Sequence, residues 1–345
     1  MFYSLIYMFW DYFIVMGFFL VSTTASIVEI GYQFVNVNDI DKSFFEIKRL
    51  PKLLTQTGSC YEMRKGTELI AFCYPSIHVA GISKCGTSAM YRFLGNHDGI
   101  KYAYLSNKEY CPFSKTYYDY FKEFTSTPSI NSTIYINGCI NTTVVGELHD
   151  FLKPEAIYIM MVRNFRERLW AAYNFWCHPE IDLECDASRW TKPNMYRSSE
   201  LFHEILLSSE YKLSQLYTIN WSCNWINNYY NIEIHKLYNV TKELPYIIAS
   251  ESLNSTNSTN YIKNLELYIH KKLNITINLN KKHLLYINTG NNRGINVVSN
   301  QSTHGIYKIS NYKPILSKTI HYIQKCWNNC KYISNLANYQ YDCID

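Results

Sequence analysis

The sequence predicts an α/β fold, a P-loop-like parallel sheet flanked by helices. Three observations lead there. Apolar runs at Ile77–Ile82, Thr143–Val145, Ala156–Val162 and Tyr246–Ala249 are short and near-continuous, as expected of strands buried on both faces of a parallel sheet. Helical patterns separate them: Ala89, Met90, Phe93 and Leu94 share one helical face, and Leu169, Ala172, Tyr173 and Trp176 share another. A turn bracketed by glycines, Gly81-Ile82-Ser83-Lys84-Cys85-Gly86-Thr87-Ser88, joins the first run to the first helix. Strand and helix in alternation imply a sheet with crossover connections.

The chain has 345 residues, enough for a large core. Its first residues, Met1 to about Val28, are apolar apart from Asp11, and Tyr12 to Val28 carries no charge. That length is near the lower limit for a membrane span. Two readings stand: a retained signal anchor over 1–28, or a signal peptide cleaved near Thr23-Thr24-Ala25. The basic start of a signal peptide is missing, which favours the anchor. Either reading puts the rest of the chain in the secretory lumen. Residues 29–58 read as a stem without clear period, and 59–345 as the globular domain.

Cysteine usage fits that compartment. Eleven cysteines are many for a reducing environment. The count is odd, so at least one thiol is left over, and Cys85 is the candidate because a bridge there would crowd the turn. Local spacing suggests Cys60–Cys73 and Cys177–Cys185, with Cys326, Cys330 and Cys343 as a C-terminal group. N-x-[ST] sequons occur at Asn131, Asn141, Asn220, Asn239, Asn254, Asn257, Asn274 and Asn300, which marks a glycoprotein. Asn254–Asn260 is low in complexity and reads as a surface loop. A net charge of +5 permits an acidic partner without requiring one. No basic–aromatic repeat appears, so nucleic acid is not expected.

The turn at 81–88 is built for an anion. N–H groups at a helix N-terminus point at a ligand there, and the helix dipole favours negative charge. Lys84 adds a point charge, and the Thr87 and Ser88 hydroxyls add donors. The lysine precedes the second glycine, whereas a nucleotide triphosphatase loop needs it after. A nucleotide kinase is disfavoured on that ground. Arg163 ends the apolar run Ala156–Val162, at the strand edge where open α/β sheets bind ligands, and its planar fork suits phosphate. Arg166 and Arg168 read as a solvated helix face with Glu167. The Lys108-Glu109 pair, taken alone, reads as surface charge. No metal-ligand cluster stands out.

Three segments together resemble the lumenal carbohydrate sulfotransferases: G-I-S-K-C-G-T-S (81–88), N-K-E-Y (107–110) and V-R-N-F-R-E-R-L-W-A-A-Y (162–173). The resemblance extends to R-S-S-E-L-F-H-E (197–204), I-A-S-E-S-L (248–253) and Y-K-P-I-L (312–316). It is strongest toward the branch containing N-acetylgalactosamine 4-sulfate 6-O-sulfotransferase. It implies transfer of a sulfuryl group from 3′-phosphoadenosine 5′-phosphosulfate (PAPS) to a hydroxyl of an acidic glycosaminoglycan such as chondroitin or dermatan sulfate, with no metal. It implies a single-pass type II Golgi membrane protein, or a secreted one after signal cleavage. The 5′-phosphosulfate role falls on Lys84, Cys85, Gly86, Thr87 and Ser88, the 3′-phosphate on Arg163, and the catalytic base on Glu109, with Lys84 assisting. Arg293 and Gly294 match a cofactor-covering loop. Lys108 and His149 are candidates for acceptor sugar.

The chain also departs from that pattern. Ala171 stands where a serine gives a second 3′-phosphate ligand, a charge-assisted bond worth about 1.5–3 kcal/mol. Phe165 replaces a proline. Ala171 leaves open a second reading, a non-catalytic glycan-binding relative with a weakened donor site.

Overall fold

The computed structural model describes residues 46–51, 58–103, 117–122, 124, 134–139, 141–176, 199–207, 223–254, 258–280 and 315–343. Two sheets follow one another. The first is antiparallel: β1 (Glu46–Arg49), β2 (Ser59–Lys65) and β3 (Glu68–Tyr74), in that order. A two-residue link, Gly66-Thr67, joins β2 to β3, with Gly66 in the left-handed region at φ 60°. The Cys60–Cys73 disulfide crosses the same hairpin between paired residues. β1 lies inside the interval read as stem, so the folded sheet reaches back to Glu46.

The second sheet is parallel throughout. Its strands are β4 (Ile77–Val79), β5 (Ile100–Tyr102), β6 (Ile134–Gly138), β7 (Ile157–Val162) and β8 (Tyr246–Ala249), in the order β5-β6-β4-β7-β8. The three central strands are buried along their whole length, which explains why they are almost wholly apolar, with His78 in β4 and Asn137 in β6 as the polar exceptions. The expected α/β parallel sheet is therefore present. β4, β7 and β8 fall on the expected runs. Thr143–Val145 does not form a strand: it lies in a helix. Asn141 accepts a bond from the Val144 N–H and caps that helix, and Val145, Leu148 and Leu152 form its buried face. The cap and the 3.6-residue spacing outweigh the β preference of two adjacent valines.

Helices fill the connections: α1 (Thr87–Gly95), α2 (Tyr117–Lys122), α3 (Thr142–Leu152), α4 (Phe165–Trp176), α5 (Ser199–Leu207), α6 (Cys223–Thr241), α7 (Ser258–Leu273), α8 (Ser317–Cys326) and α9 (Cys330–Ala337). Ser258 to Asn260 belong to α7 and Asn254 ends a 3-10 turn, so these parts of the low-complexity segment are not loop; residues 255–257 lie outside the described residues. The Cys223–Cys326 disulfide ties α6 to α8, and Cys330–Cys343 closes the C-terminal end. The small sheet is fastened to the α3–β7 connection. Arg49 pairs with Glu155 at 2.9 Å, and the Tyr61 hydroxyl donates to Leu152 O at 2.8 Å. Phe72 stacks on Phe121 at 4.6 Å.

The strand order places the site. From β4 the chain runs outward through β5 and back to β6. It then crosses to β7 and leaves the other way to β8. The connections leaving β4 and β7 diverge, which opens a crevice at the carboxyl ends of these two strands. The turn at 81–86 follows β4 and Arg163 follows β7, so both expected anion-binding segments meet there. Among the described residues no helix is long and apolar enough to cross a membrane. The apolar N-terminal segment lies outside the described residues, as do Cys177 and Cys185.

Candidate anion site at the switch point

Pairing between the central strands continues past β4. Ala80 N donates to Ile159 O at 2.9 Å, Met161 N to Gly81 O at 2.8 Å, and Ile82 N to Met161 O at 3.1 Å. These bonds carry the chain, still buried, to the level of Arg163. The turn then closes with Cys85 N donating to Ile82 O at 3.1 Å. Lys84 (φ 64°) and Gly86 (φ 89°) both sit in the left-handed region. A lysine pays for that conformation in strain, and such strain gathers where a backbone must present donors to a ligand. Gly86 is the N-cap of α1 and makes no side-chain cap bond. Its carbonyl accepts from Ala89 and Met90. The first-turn N–H groups of a helix lie outside its own hydrogen-bond ladder and face an incoming anion. Lys84 is half-buried, Thr87 buried, and Gly86 and Ser88 exposed.

Arg163 occupies the neighbouring strand end, with its side chain 20% exposed and its Nη2 3.9 Å from Glu167 Oε2. Asn164 caps α4 by accepting from Arg166 N at 3.0 Å. Arg166 pairs with Glu167 at 3.0 Å, as expected of a surface helix face. Arg168 does not belong to that face. It is 1% exposed, donates from Nε to Ser83 O at 3.2 Å, and lays its guanidinium over the Tyr229 ring at 4.0 Å. A buried cation therefore lies beneath the turn and adds positive potential to it.

Two groups that sequence reading missed complete the frame. The Glu251 carboxylate, just after β8, accepts from Asn164 N at 2.8 Å, Ser250 Oγ at 3.2 Å and Tyr341 Oη at 3.3 Å. A Cβ built on Gly86 would lie 3.5 Å from Ser250 Cβ, so this segment adjoins the turn. Tyr230, buried on α6, donates to Arg163 O at 2.6 Å, accepts from Arg163 N at 3.3 Å, and lies 3.4 Å from Cys85 Sγ. Cys85 is a free, buried thiol, as its reading as the leftover cysteine requires. Burial pushes it up to about 11, against a smaller opposing pull from Arg168.

His149 is not brought to this site. Its Nδ1 lies 2.8 Å from the hydroxyl of Tyr158, near the amino end of β7, at the opposite edge of the sheet. It is half-buried, and burial lowers its pKa. Glu109, Lys108, Arg293 and Gly294 lie outside the described residues. Among the described residues no group of three His, Cys, Asp or Glu side chains is placed to hold a metal ion.

The geometry assembles one lysine, one arginine, two hydroxyls and a helix N-terminus at the diverging point of a parallel sheet. That arrangement can grip an extended polyanion at two places. No family model matches the chain, and no curated protein matches it. Among solved structures, the sulfotransferase from Alicyclobacillus acidocaldarius resembles it at a TM-score of 0.45 and 11% identity, over 78% of this chain and 98% of that one. A likeness that distant leaves the reading to the site itself.

Proposed function

We propose that this chain is a sulfotransferase that moves a sulfuryl group from PAPS to a glycan hydroxyl. The favoured acceptor is an acidic glycosaminoglycan of the chondroitin/dermatan type, at the 6-O position of N-acetylgalactosamine. One observation carries the reading: the Lys84 turn and Arg163, distant in sequence, are held side by side where a parallel sheet presents its ligand crevice. The disulfides among the described residues support an oxidising lumen, in keeping with a Golgi location.

The residues present suit the donor. Gly86 keeps the helix entrance free of a side chain, and the donor set is cationic or hydroxylic throughout. Lys84, Thr87, Ser88 and the turn N–H groups would hold the 5′ end, and Arg163 the 3′-phosphate. When bound, the donor supplies the sulfuryl group and a bisphosphate leaving group. Lys84 and the N–H groups are preorganised to stabilise negative charge at that end. Positioning and charge stabilisation supply most of the catalysis in reactions of this kind. Glu109 is assigned the acceptor proton, a role that rests on the sequence alone.

The test is direct. A soluble chain that keeps β1, beginning just before Glu46, titrated calorimetrically with adenosine 3′,5′-bisphosphate, should bind at micromolar strength. It should also transfer labelled sulfate from PAPS to chondroitin sulfate, with the product mapped by disaccharide analysis. Ala171 favours the second reading, a glycan-binding relative, because a methyl group offers the 3′-phosphate no donor. Absence of binding at millimolar bisphosphate, with retained glycan affinity, would establish that reading instead.

A further inference from the structure

We infer that Tyr230 is a positioning residue, a latch that holds the Lys84 turn and the Arg163 strand end in one fixed register. The inference rests on the donor reading above. Val162 pairs with Ala249 at the end of β8. One residue further on, Arg163 gives its peptide N–H and C=O to a side chain, the Tyr230 hydroxyl, at 3.3 Å and 2.6 Å. The hydroxyl proton is committed to the Arg163 carbonyl. The Cys85 thiol, 3.4 Å away, is therefore the donor in its contact with Tyr230. One oxygen thus uses its proton and both lone pairs on the two segments that grip the anion.

The latch is rigidly mounted. The Tyr230 ring packs edge-on to Phe165 at 5.0 Å and lies 6.2 Å from Trp327. Its helix is pinned by the Cys223–Cys326 disulfide. A ligand that bridges the turn and the strand end feels their relative position. A ligand that touches only the turn does not. Without the hydroxyl, the bridging ligand must hold the two segments in register itself, at a cost in affinity.

The experiment compares two ligands on wild type and Tyr230→Phe, which keeps the ring. Adenosine 3′,5′-bisphosphate bridges both segments, and adenosine 5′-phosphate engages the turn alone. The variant should lose about tenfold in affinity for the bisphosphate and less than twofold for the monophosphate. In turnover assays the KM for PAPS should rise while kcat holds. Equal losses for both ligands, or none for either, would overturn the latch. Wild-type protein that binds neither ligand would bring down the donor reading and the latch with it. If Tyr230→Phe fails to fold by circular dichroism, Cys85→Ala decides, since it removes the turn side of the latch alone. It should show the same bisphosphate-selective loss, and Cys85→Ser, which restores a donor, should recover most of it. A Cys85→Ala protein with wild-type affinity for both ligands would count against the inference.

Discussion

Arg168 donates from Nε to the carbonyl oxygen of Ser83 at 3.2 Å, and so fixes one peptide of the anion turn from beneath. With that carbonyl held toward the protein interior, the turn is free to face its N–H groups outward. The guanidinium is sandwiched on Tyr229 at 4.0 Å, with Phe165 at 5.6 Å. Arg168→Lys keeps the charge but loses the planar contact. It should cost about 2 kcal/mol of stability, the sum of one buried hydrogen bond and a desolvated cation–π contact. Urea unfolding with an unchanged midpoint would contradict this placement.

Lys84 separates function from stability. At φ 64° a glycine suits its backbone better than any side chain. Lys84→Gly relieves that strain but loosens the unfolded chain, so stability should stay within about 1 kcal/mol of wild type. Turnover should fall ~10²-fold or more, as for loss of one charge-stabilising donor. A variant with full activity would remove Lys84 from the mechanism.

Much of this was readable in the sequence, and the misses have physical causes. Strands buried on both faces need no partner pattern to be recognised, so β4, β7 and β8 stand out. Five strands, β1, β2, β3, β5 and β6, lie outside the expected apolar runs. β1, β2 and β5 are broken by charged residues, β3 is mostly exposed along its first residues, and β6 carries Asn137 in an otherwise apolar run. The turn and Arg163 were legible because strand–turn–helix chemistry is local. Tyr230 was not, because it lies 67 residues from Arg163 and is one of 32 tyrosines. Arg168 was misread because i,i+1 charge neighbours imitate a solvated face. Only the packing of Tyr229 and Phe165 shows that it points inward.

His78 makes the fold acid-sensitive. It is 1% exposed in β4, with Nε2 3.1 Å from Pro75 O and its ring stacked on Tyr74 at 4.5 Å. Burial pushes its pKa down to about 3 from 6.5. Between those values the unfolded chain binds a proton that the folded one refuses. Stability is therefore full above pH 6.5 and lost as pH falls, by about 1.4 kcal/mol per pH unit. His78→Gln should flatten the dependence of Tm on pH between 6.5 and 4 by about one proton. An unchanged slope would mean that His78 is protonated in the native state.

Glu147 on α3 has the opposite sign. Its Oε2 is buried without a hydrogen-bond partner among the described residues, and burial raises the carboxyl to about 7 from 4.5. The folded protein holds that proton where the unfolded chain has released it, so stability declines as pH rises from 4.5 through 7. Glu147→Gln should leave Tm unchanged at pH 4 and raise it at pH 8. After discounting for its half-exposed side chain, the gain is about 1 kcal/mol. A variant less stable than wild type at pH 8 would show that the carboxylate is paired there.

Cys85 should be chemically silent while the fold lasts. Its side chain is fully buried and its thiol is pushed up to about 11, so at pH 8 only about one in a thousand is thiolate. Iodoacetamide acts on the thiolate and needs access to it. Peptide mapping should find Cys85 unmodified after native labelling and fully carbamidomethylated after unfolding in guanidinium. Addition of adenosine 3′,5′-bisphosphate to protein in dilute guanidinium should slow the residual labelling, because a ligand that binds only the folded state lowers the population from which the thiol reacts. Rapid labelling of the native protein would place the thiol at the surface of the turn and break its contact with Tyr230.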